Sequence, residues 1–199
     1  KGITEKLDYL KDLGIEILLN TKANAILTDE SGAAVGITAE GKGGSTVTVN
    51  AKSVVLATGG FGANLDMVVE YKPDLAGFAS TNAPGAQGEG IAMATAIGAA
   101  TVDMDQIQIH PTVETETAAL ITEGLRGDGA ILVNAEGKRF CDEVGTRDAV
   151  SAAEIAQTGG YAWLVIDQKM VDASSVIAGY IKNGYTVQGD TYEALAEAM

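Results

Sequence analysis

The distribution of hydrophobic residues over the first fifty positions predicts a helix followed by an antiparallel β-meander. Residues 1–14 carry apolar side chains at helical spacing and end on Gly14, a residue type that favours helix termination. The apolar positions are Ile3, Leu7, Leu10 and Leu13. Short β-prone runs follow, separated in part by the turn segments DESG and GKGG, and they cover residues 15–19, 23–28, 33–39 and 45–50.

A further apolar run leads into a glycine-rich segment. Residues 53–57 (SVVLA) have the composition of a buried strand, and the sequence TGGFG follows directly. A loop rich in Gly, Pro and Asn over residues 79–90 then precedes an apolar helix predicted over 90–98. This change in composition predicts a domain boundary near residue 104.

The second half of the chain mixes short strands with helices. Residues 130–133 and 138–141 predict a hairpin around an Asn-Ala-Glu-Gly turn. Thr146 is predicted to cap a helix that ends near Gly159, and a buried strand follows over residues 161–167.

The two ends of the chain indicate a piece of a larger protein. The chain opens on a helix with no methionine and no preceding strand, and it stops inside a helix that begins at Asp190 and Glu193. The chain is therefore interpreted as an internal fragment of mixed α/β and α+β fold. Its first domain, residues 1–104, has a Rossmann-like strand and an antiparallel meander, and its second domain, residues 105–199, is α+β.

The charge and composition exclude several classes of partner. The formal net charge is -14, from 27 acidic and 13 basic residues, which disfavours binding to nucleic acid or anionic lipid. The single cysteine rules out an internal disulfide framework. There is no apolar run of about 18 residues, so no direct membrane insertion is predicted. The compartment stays open, with the cytoplasm favoured over the periplasm and the cell surface.

Two glycine segments in the first domain are candidate ligand loops. Glycines after the run 53–57 let backbone N–H groups approach a phosphate or a flat ring, although a plain turn has the same pattern. The segment GAQGEG opens a helix, where Glu89 could accept a hydrogen bond from a ribose hydroxyl or a ring N–H. The alternative is that Glu89 only favours the positive helix start.

Three charged or titratable positions in the second domain are candidates for chemistry. His110 is the only histidine, and the following Pro111 favours an extended backbone that fixes the direction of its ring; a purely structural histidine is the alternative. Glu123 and Arg126 are three residues apart, so they share a helical face, either in a site or as an ordinary surface ion pair.

Arg147 is the strongest single candidate. If Thr146 caps the helix, Arg147 lies in its first turn, where the helix dipole destabilises a cation by about 0.3–1 kcal/mol. That placement is reasonable where an anion binds, although Asp148 could offset the charge instead.

The order of several motifs resembles the flavoprotein subunit of fumarate reductases, above all the soluble flavocytochrome c type. The motifs are KANAIL, VVLATGGFGAN, TNAPGAQGEG, QIHPT, ITEGLRGDGAILVNAEGKRF and TRD, and together they cover nearly the whole chain. The resemblance implies an FAD-binding domain interrupted by a mobile capping domain, with the active site between them. Residues 1–104 would be part of the former and residues 105–199 most of the latter.

The resemblance also assigns roles in cofactor binding. It implies that Ala23 and the loop of Thr58, Gly59 and Gly60 line the FAD site. Glu89 matches an acidic flavin contact, a position at which the family more often has aspartate.

For the substrate, the resemblance implies that His110 and Thr122 contact a carboxylate of fumarate. Glu123 lines the same site, and together with Arg126 it passes protons to Arg147, the acid that protonates the substrate. No metal ligand is implied.

Two family features are missing from the sequence: the N-terminal dinucleotide fingerprint and a C-terminal segment with another histidine and arginine. The fragment alone is therefore expected to be inactive and not to retain FAD. The complete protein is expected to reduce fumarate to succinate, with electrons from a donor module outside this chain. The alternatives are reduction of another unsaturated acid such as urocanate, a non-catalytic binding module, and a plain acidic α/β domain without a ligand.

Overall fold

The computed structural model describes residues 2–199, and these contain both α-helices and β-strands. The helices are α1 (Gly2–Asp12), α2 (Leu65–Tyr71), α3 (Glu89–Ala96), α4 (Gly124–Gly127), α5 (Arg147–Ile155), α6 (Gln168–Ala173), α7 (Ser175–Lys182) and α8 (Tyr192–Ala198). The strands are β1 (Lys22–Thr28), β2 (Ala34–Glu40), β3 (Thr46–Asn50), β4 (Ile131–Val133) and β5 (Trp163–Val165). Within the described part of the chain, no helix combines the length and the apolar character needed to cross a membrane.

The chain divides into two compact units, with one boundary between Met104 and Asp105. Unit 1 contains the chain up to Asn64 together with Pro84–Met104, and unit 2 contains the rest. Leu65–Ala83, which the sequence assigned to the first domain, therefore belongs to unit 2. One contact behind this difference is a hydrogen bond of 3.3 Å from Lys72 Nζ, just after α2, to the backbone carbonyl of Ile107.

The sheet of unit 1 is the antiparallel meander that the sequence predicted, in the order β1-β2-β3. Ile37 on β2 pairs with Ile26 on β1 and with Val49 on β3. Gly36 is required by close approach, because an added Cβ atom would lie 2.2 Å from the Val49 carbonyl oxygen. The β-prone runs and the turn segments between them were sufficient to predict these three strands.

Two predicted strands of unit 1 are wrong. Neither residues 15–19 nor residues 53–57 form a strand in the described structure. An apolar strand is stable when neighbouring strands pair with it and cover it. No described strand pairs with 53–57, and Val55 is 87% exposed.

Most predicted elements of unit 2 are present with shorter bounds. The strand predicted over 161–167 is β5, which pairs with β4 in antiparallel register. The turn at residues 134–137 forms, but the hairpin beyond it is reduced to one bridge between Val133 and Arg139. The predicted helix is α5, which begins after Thr146 as expected and ends at Ile155, before the predicted Gly159. Thr146 has the extended backbone of an N-cap residue, but its side chain makes no capping hydrogen bond.

The predicted cap of the last helix is corrected. Thr191, and not Asp190, is the N-cap of α8, and its side-chain oxygen accepts a hydrogen bond of 3.2 Å from the Ala194 backbone nitrogen. The extended backbone at Thr191, with φ -132° and ψ 165°, is the conformation that an N-cap residue requires.

The core of unit 2 supports the segment that carries the candidate site residues. Leu125, Ala130 and Ile177 are buried together, and apolar side chains from β5, α6 and α7 pack around them. Leu125 belongs to α4, the helix that contains Arg126. The site residues are therefore attached to packed structure on their interior side.

Candidate functional site

A short antiparallel ribbon brings two predicted site residues to the same end. The Ile121 N–H donates to the Thr112 carbonyl at 3.0 Å, the Thr112 hydroxyl donates to the Ile121 carbonyl at 2.7 Å, and Val113 bridges Leu120. The ribbon leads to His110 at the end of one strand and to Glu123 at the end of the other, and the charge of Glu123 acts on the His110 ring. Cross-strand pairing in the ribbon therefore assembles this part of the site.

Arg147 and Glu123 form a bidentate ion pair. Nε of Arg147 donates to Oε2 of Glu123 at 2.6 Å, and Nη2 donates to Oε1 at 2.7 Å. Nη1 donates to Oε1 of Gln108 at 2.7 Å. This fork geometry orients the guanidinium as well as stabilising it, which a lysine would not do.

Arg126 lies behind this pair and is almost fully buried, at 5% exposure. Its Nη2 is 3.7 Å from Oε2 of Glu123, and its Nη1 donates to the backbone carbonyl of Glu143. Among the described residues, Nε of Arg126 has no hydrogen-bond partner. Glu123 is therefore a single carboxylate between two guanidinium groups.

The protonation of these groups follows from their contacts. The hydrogen bond from Arg147 lowers the pKa of Glu123 below its usual range, so the carboxylate is ionised at neutral pH. The same hydrogen bond raises the pKa of Arg147. With two cations and one anion, the cluster is locally cationic in a chain whose formal net charge is -14. Such a cluster favours an anionic ligand.

His110 is anchored beside the cluster. Its Nδ1 lies 3.2 Å from the backbone nitrogen of Thr112 and 3.1 Å from the Thr112 carbonyl oxygen, so either tautomer is held by the same residue. Partial burial, followed by the positive charge of Arg147, lowers the pKa of His110. The imidazole is thus neutral at neutral pH, and Nε2 is the nitrogen that these contacts do not engage.

Thr122 is fixed through its backbone. Its N–H donates to the Tyr180 hydroxyl of α7 at 3.0 Å, and its own hydroxyl accepts from the Gly124 nitrogen at 3.3 Å. It precedes Glu123 directly, so it belongs to the same turn as the cluster. The structure therefore brings four predicted site residues close enough for their charges to interact: His110, Glu123, Arg126 and Arg147. Thr122 lies next to them in the chain.

The predicted cofactor residues lie in unit 1, where two loops are joined by hydrogen bonds. Gly88 N–H donates to the Gly60 carbonyl at 3.1 Å, and Ala63 N–H donates to the Ala86 carbonyl at 2.9 Å. Gly90, in the first turn of α3, approaches so closely that an added Cβ atom would lie 1.9 Å from the Thr58 hydroxyl. The two glycine segments are therefore held together by backbone hydrogen bonds and by close packing.

Two open hollows border α3 within unit 1. Thr58 and Gly59 line one of about 270 Å³, and Ala23 and Glu89 line the other, of about 370 Å³. Gly59 has a φ of +75°, and an added Cβ atom there would meet nothing within 4 Å, so its backbone is open to a ligand. This open glycine backbone fits a cofactor with phosphates and a flat ring.

Glu89 has a partner that the sequence did not predict. Its Oε1 lies 2.6 Å from Nζ of Lys22, and both side chains are exposed. The role of Glu89 in flavin binding stays a prediction, as do the roles of Ala23, Thr58, Gly59 and Gly60.

The structure adds residues that the sequence reading missed. Gln108 shares the extended QIQIH segment with His110, and the alternation of apolar and polar side chains places both on one face. That alternation was the available signal for Gln108. Tyr180 had no local signal, because it lies 58 residues from Thr122 in sequence. In the described part of the chain, no cluster of three or more His, Cys, Asp and Glu side chains could hold a metal ion.

Comparison with known proteins identifies the same family along the chain. The model of a family described as "FAD binding domain" matches residues 4–187. The NADH:fumarate oxidoreductase of Klebsiella pneumoniae (strain 342) is 48% identical over 187 residues, which cover 94% of this chain and 20% of that protein. The urocanate reductase of Eggerthella lenta is 38% identical over 212 residues, covering 99% of this chain and 34% of that protein.

A solved structure gives a similar result. The open conformation of a flavocytochrome c3 fumarate reductase has a TM-score of 0.76 and 38% identity, covering 96% of this chain and 34% of that one. The chain thus spans about a fifth to a third of the length of the proteins it matches. The predicted mixed fold class and the predicted FAD cofactor are confirmed. The chain belongs to the FAD binding domain family, and its predicted resemblance to the flavoproteins of fumarate reductases is confirmed.

Proposed function

We propose that the complete protein containing this chain is an FAD-dependent reductase that converts fumarate to succinate. The observation that carries the proposal is the cluster in which Glu123 binds Arg147 bidentately, Arg126 lies behind it and His110 lies beside it. A local excess of cations and hydrogen-bond donors is what a short dicarboxylate requires. FAD is the redox cofactor, because the chain belongs to the FAD binding domain family.

The reaction adds two electrons and two protons to fumarate. FAD, when bound and reduced, supplies a hydride to one alkene carbon of fumarate. A proton must reach the other carbon, and in this proposal it comes from Arg147. The carbon–carbon double bond becomes single, and succinate leaves with both carboxylates unchanged.

His110 and Thr122 are proposed to hold one substrate carboxylate. Nε2 of His110 and the hydroxyl of Thr122 are donors that can hydrogen-bond to it, and such charge-assisted bonds are about twice as strong as neutral ones. The neutral imidazole presents an Nε2–H donor in the tautomer whose Nδ1 accepts from the Thr112 N–H. Stabilisation of the negative charge that develops in the transition state is the larger part of the task.

An arginine acid requires a resupply of its proton, since a guanidinium is not deprotonated under ordinary conditions. The bidentate contact with Glu123 supports a concerted transfer, in which Arg147 loses a proton only as the Glu123 carboxylate takes one from Arg126 and passes one on to Arg147. Arg126, 3.7 Å from the same carboxylate, is the next group along the path. General acid catalysis of this kind contributes roughly 100- to 10,000-fold in rate.

A second candidate is the reduction of a related unsaturated acid. The similarity to a urocanate reductase over 99% of this chain favours keeping this candidate. Urocanate has one carboxylate, whereas fumarate has two. The two substrates are therefore distinguished by the protein groups that bind the end of the substrate opposite the shared carboxylate. Direct comparison of fumarate and urocanate as electron acceptors for the complete protein separates the two candidates.

The partners are part of the same proposal. Fumarate and succinate are the small-molecule ligands, and an electron-donor module or protein outside this chain reduces the flavin. The name of one relative includes NADH, and that of a similar solved structure includes flavocytochrome c3.

The test replaces Arg147 in the complete, FAD-loaded protein. We expect Arg147→Ala to lose nearly all fumarate reduction, by roughly 100-fold or more, while flavin stays bound. Arg147→Lys should also be poor, because an ammonium group does not reproduce the planar fork that Glu123 accepts. The measurement is fumarate-dependent oxidation of the reduced protein.

Lys169→Ala is the matched control, since Lys169 is an exposed cation on α6 of the same unit. It should turn over as the unmodified protein does. Near-normal activity of Arg147→Ala would exclude Arg147 as the acid and overturn the proposed mechanism.

A further inference from the structure

A second ion pair, between Arg139 and Glu143, lies in the segment between β4 and α5. Glu143 is buried, at 5% exposure, and its carboxylate accepts from Arg139 twice, at 3.0 Å from Nε and 2.6 Å from Nη2. The same carboxylate accepts the backbone N–H of Leu132 on β4 at 2.9 Å. Three donors therefore fix this carboxylate.

The turn that contains Glu143 is held by its own backbone. Gly145 N–H donates to the Asp142 carbonyl at 3.0 Å, and Val144 N–H donates to Oδ1 of Asp142 at 3.2 Å. With its side chain tied to β4 and its backbone inside this turn, Glu143 has little freedom to move. Its carbonyl oxygen therefore has a defined position.

That carbonyl oxygen accepts a hydrogen bond from Nη1 of Arg126. Arg126 is a buried cation, and a buried charge needs hydrogen-bond partners to offset the loss of water. Its distance of 3.7 Å to Glu123 is beyond a hydrogen bond. The hydrogen bond to the Glu143 carbonyl is thus the short contact that positions the Arg126 guanidinium. A small shift of that carbonyl would change the distance between Arg126 and Glu123.

We propose that Arg139 and Glu143 form a positioning clamp that holds the Arg126 guanidinium at its distance from the Glu123 carboxylate. By fixing that distance, the clamp sets the rate at which a proton is resupplied to Arg147. This inference rests on the proposed function, because it assigns the clamp to the proton path of that reaction. Arg139 and Glu143 are positioning residues, since neither contacts the Glu123–Arg147 pair itself.

The Arg139–Glu143 ion pair is fully charged at neutral pH. The hydrogen bond from Arg139 lowers the pKa of Glu143 from 4.5 to about 2. Because the folded-state pKa is lowered, the stabilisation exists above about pH 4.5 and is lost as pH falls towards 2. The clamp is therefore not a pH switch near neutrality.

The experiment uses Arg139→Gln in the complete, FAD-loaded protein, because Arg139 is 59% exposed at its side chain and tolerates replacement better than buried Glu143. We expect kcat for fumarate to fall roughly 10-fold with KM changed less than about 2-fold. The solvent deuterium isotope effect on kcat should increase, because proton delivery becomes slower than hydride transfer. Arg139→Lys should recover part of kcat, since it keeps the charge but not the fork.

Lys138→Gln is the matched control, because it removes an exposed cation from the neighbouring position without removing a contact of Glu143. It should leave kcat and the isotope effect unchanged. Rates are expressed per bound flavin, which separates a loss of folding from a loss of turnover.

The clamp is overturned if Arg139→Gln has the same kcat per flavin and the same isotope effect as the unmodified protein. It is also overturned if Lys138→Gln has an equal effect. A complete protein that does not reduce fumarate overturns the proposed function and the clamp together. Arg147→Ala measured in parallel tests the proton path: an active Arg147→Ala overturns Arg147 as the acid, and the clamp with it. An inactive Arg147→Ala with a normal Arg139→Gln overturns the clamp alone.

Discussion

At the level of single residues, Arg147 is a cation at an unfavourable helix position that a neighbouring element compensates. It is the first residue of α5, where the helix dipole disfavours positive charge by roughly 0.3–1 kcal/mol. Asp148 lies in the same first turn, and a hydrogen bond from the Thr146 side chain lowers its pKa, so its ionised carboxylate offsets part of this cost. The direct partner of the guanidinium is Glu123, which accepts both hydrogen bonds of the fork.

Glu154 on α5 is the residue with the opposite balance, since it is a carboxyl in a partly buried place with few donors. Burial raises its pKa from 4.5 to about 7, although a hydrogen bond from the Ala162 backbone opposes the shift. Among the described residues, Oε2 of Glu154 has no hydrogen-bond partner. Ionisation of this group therefore destabilises the folded protein.

We predict that Glu154→Gln stabilises the protein at alkaline pH and not at acidic pH. The folded-state pKa is raised, so the penalty is absent below about pH 4.5 and grows until the pH exceeds about 7. After discounting for partial exposure, the gain above about pH 7 should be on the order of 1–3 kcal/mol. Urea unfolding at about pH 5 and about pH 8, followed by circular dichroism, measures the free energy of unfolding by linear extrapolation to zero denaturant.

Glu197→Gln on α8 serves as the control, because it removes an exposed carboxyl from another helix. Its free energy of unfolding should change little at either pH. Equal stability of Glu154→Gln and the unmodified protein at the alkaline pH would contradict the prediction.

At the level of elements, the ribbon and α7 together determine where Thr122 lies. The ribbon pairs Thr112 with Ile121, and the Tyr180 hydroxyl of α7 accepts from the Thr122 backbone and donates to the Leu120 carbonyl at 3.4 Å. Ile177, on the same helix as Tyr180, is in the core of unit 2. The packing of α7 therefore determines the position of the turn that contains Thr122 and Glu123.

We predict that Tyr180→Phe weakens substrate binding more than it slows chemistry. Losing the hydroxyl leaves the Thr122 N–H without this acceptor, which should lower stability by about 1–2 kcal/mol. KM for fumarate in the complete protein should rise by roughly 2- to 5-fold with kcat nearly unchanged, because the proton path is untouched. Steady-state kinetics and thermal unfolding check both parts.

Tyr185→Phe is the matched control, since Tyr185 is the ring neighbour of Tyr180, with centroids 6.4 Å apart. It removes a hydroxyl without removing the contact to Thr122. An unchanged KM in Tyr180→Phe, or an equal rise in both variants, would show that α7 does not position the turn.

At the level of the whole molecule, the glycine loops of unit 1 offer only part of a cofactor site. The two hollows beside α3 are open and measure about 270 Å³ and about 370 Å³. A bound cofactor is normally enclosed on most of its surface. The open hollows do not provide such an enclosure.

We predict that residues 1–199 expressed alone purify without flavin. The expected result is a colourless preparation with no flavin absorbance band, even after incubation with FAD and gel filtration. The complete protein, prepared in parallel, is the positive control and should be yellow. A yellow preparation of residues 1–199 with one flavin per chain would contradict this prediction.

Sequence signals that act over a few residues predicted their elements correctly, whereas signals that depend on distant partners did not. The meander of β1, β2 and β3 was predictable because β-prone runs and glycine-containing turns are signals that act over a few residues. The strand predicted over 53–57 was wrong because an apolar run specifies burial, and burial depends on partners that the run itself does not contain. The start of α5 was predictable at Thr146, where the capping residue is local.

The sequence by itself determined the family, the cofactor class and the set of charged residues in the second unit, because motif spacing and residue type are written along the chain. Only the tertiary structure decided which partners those residues meet. Glu123 and Arg147 are 24 residues apart, and Thr122 and Tyr180 are 58 apart. Such contacts arise when separate elements pack on a common core, and no local pattern encodes the distances that result.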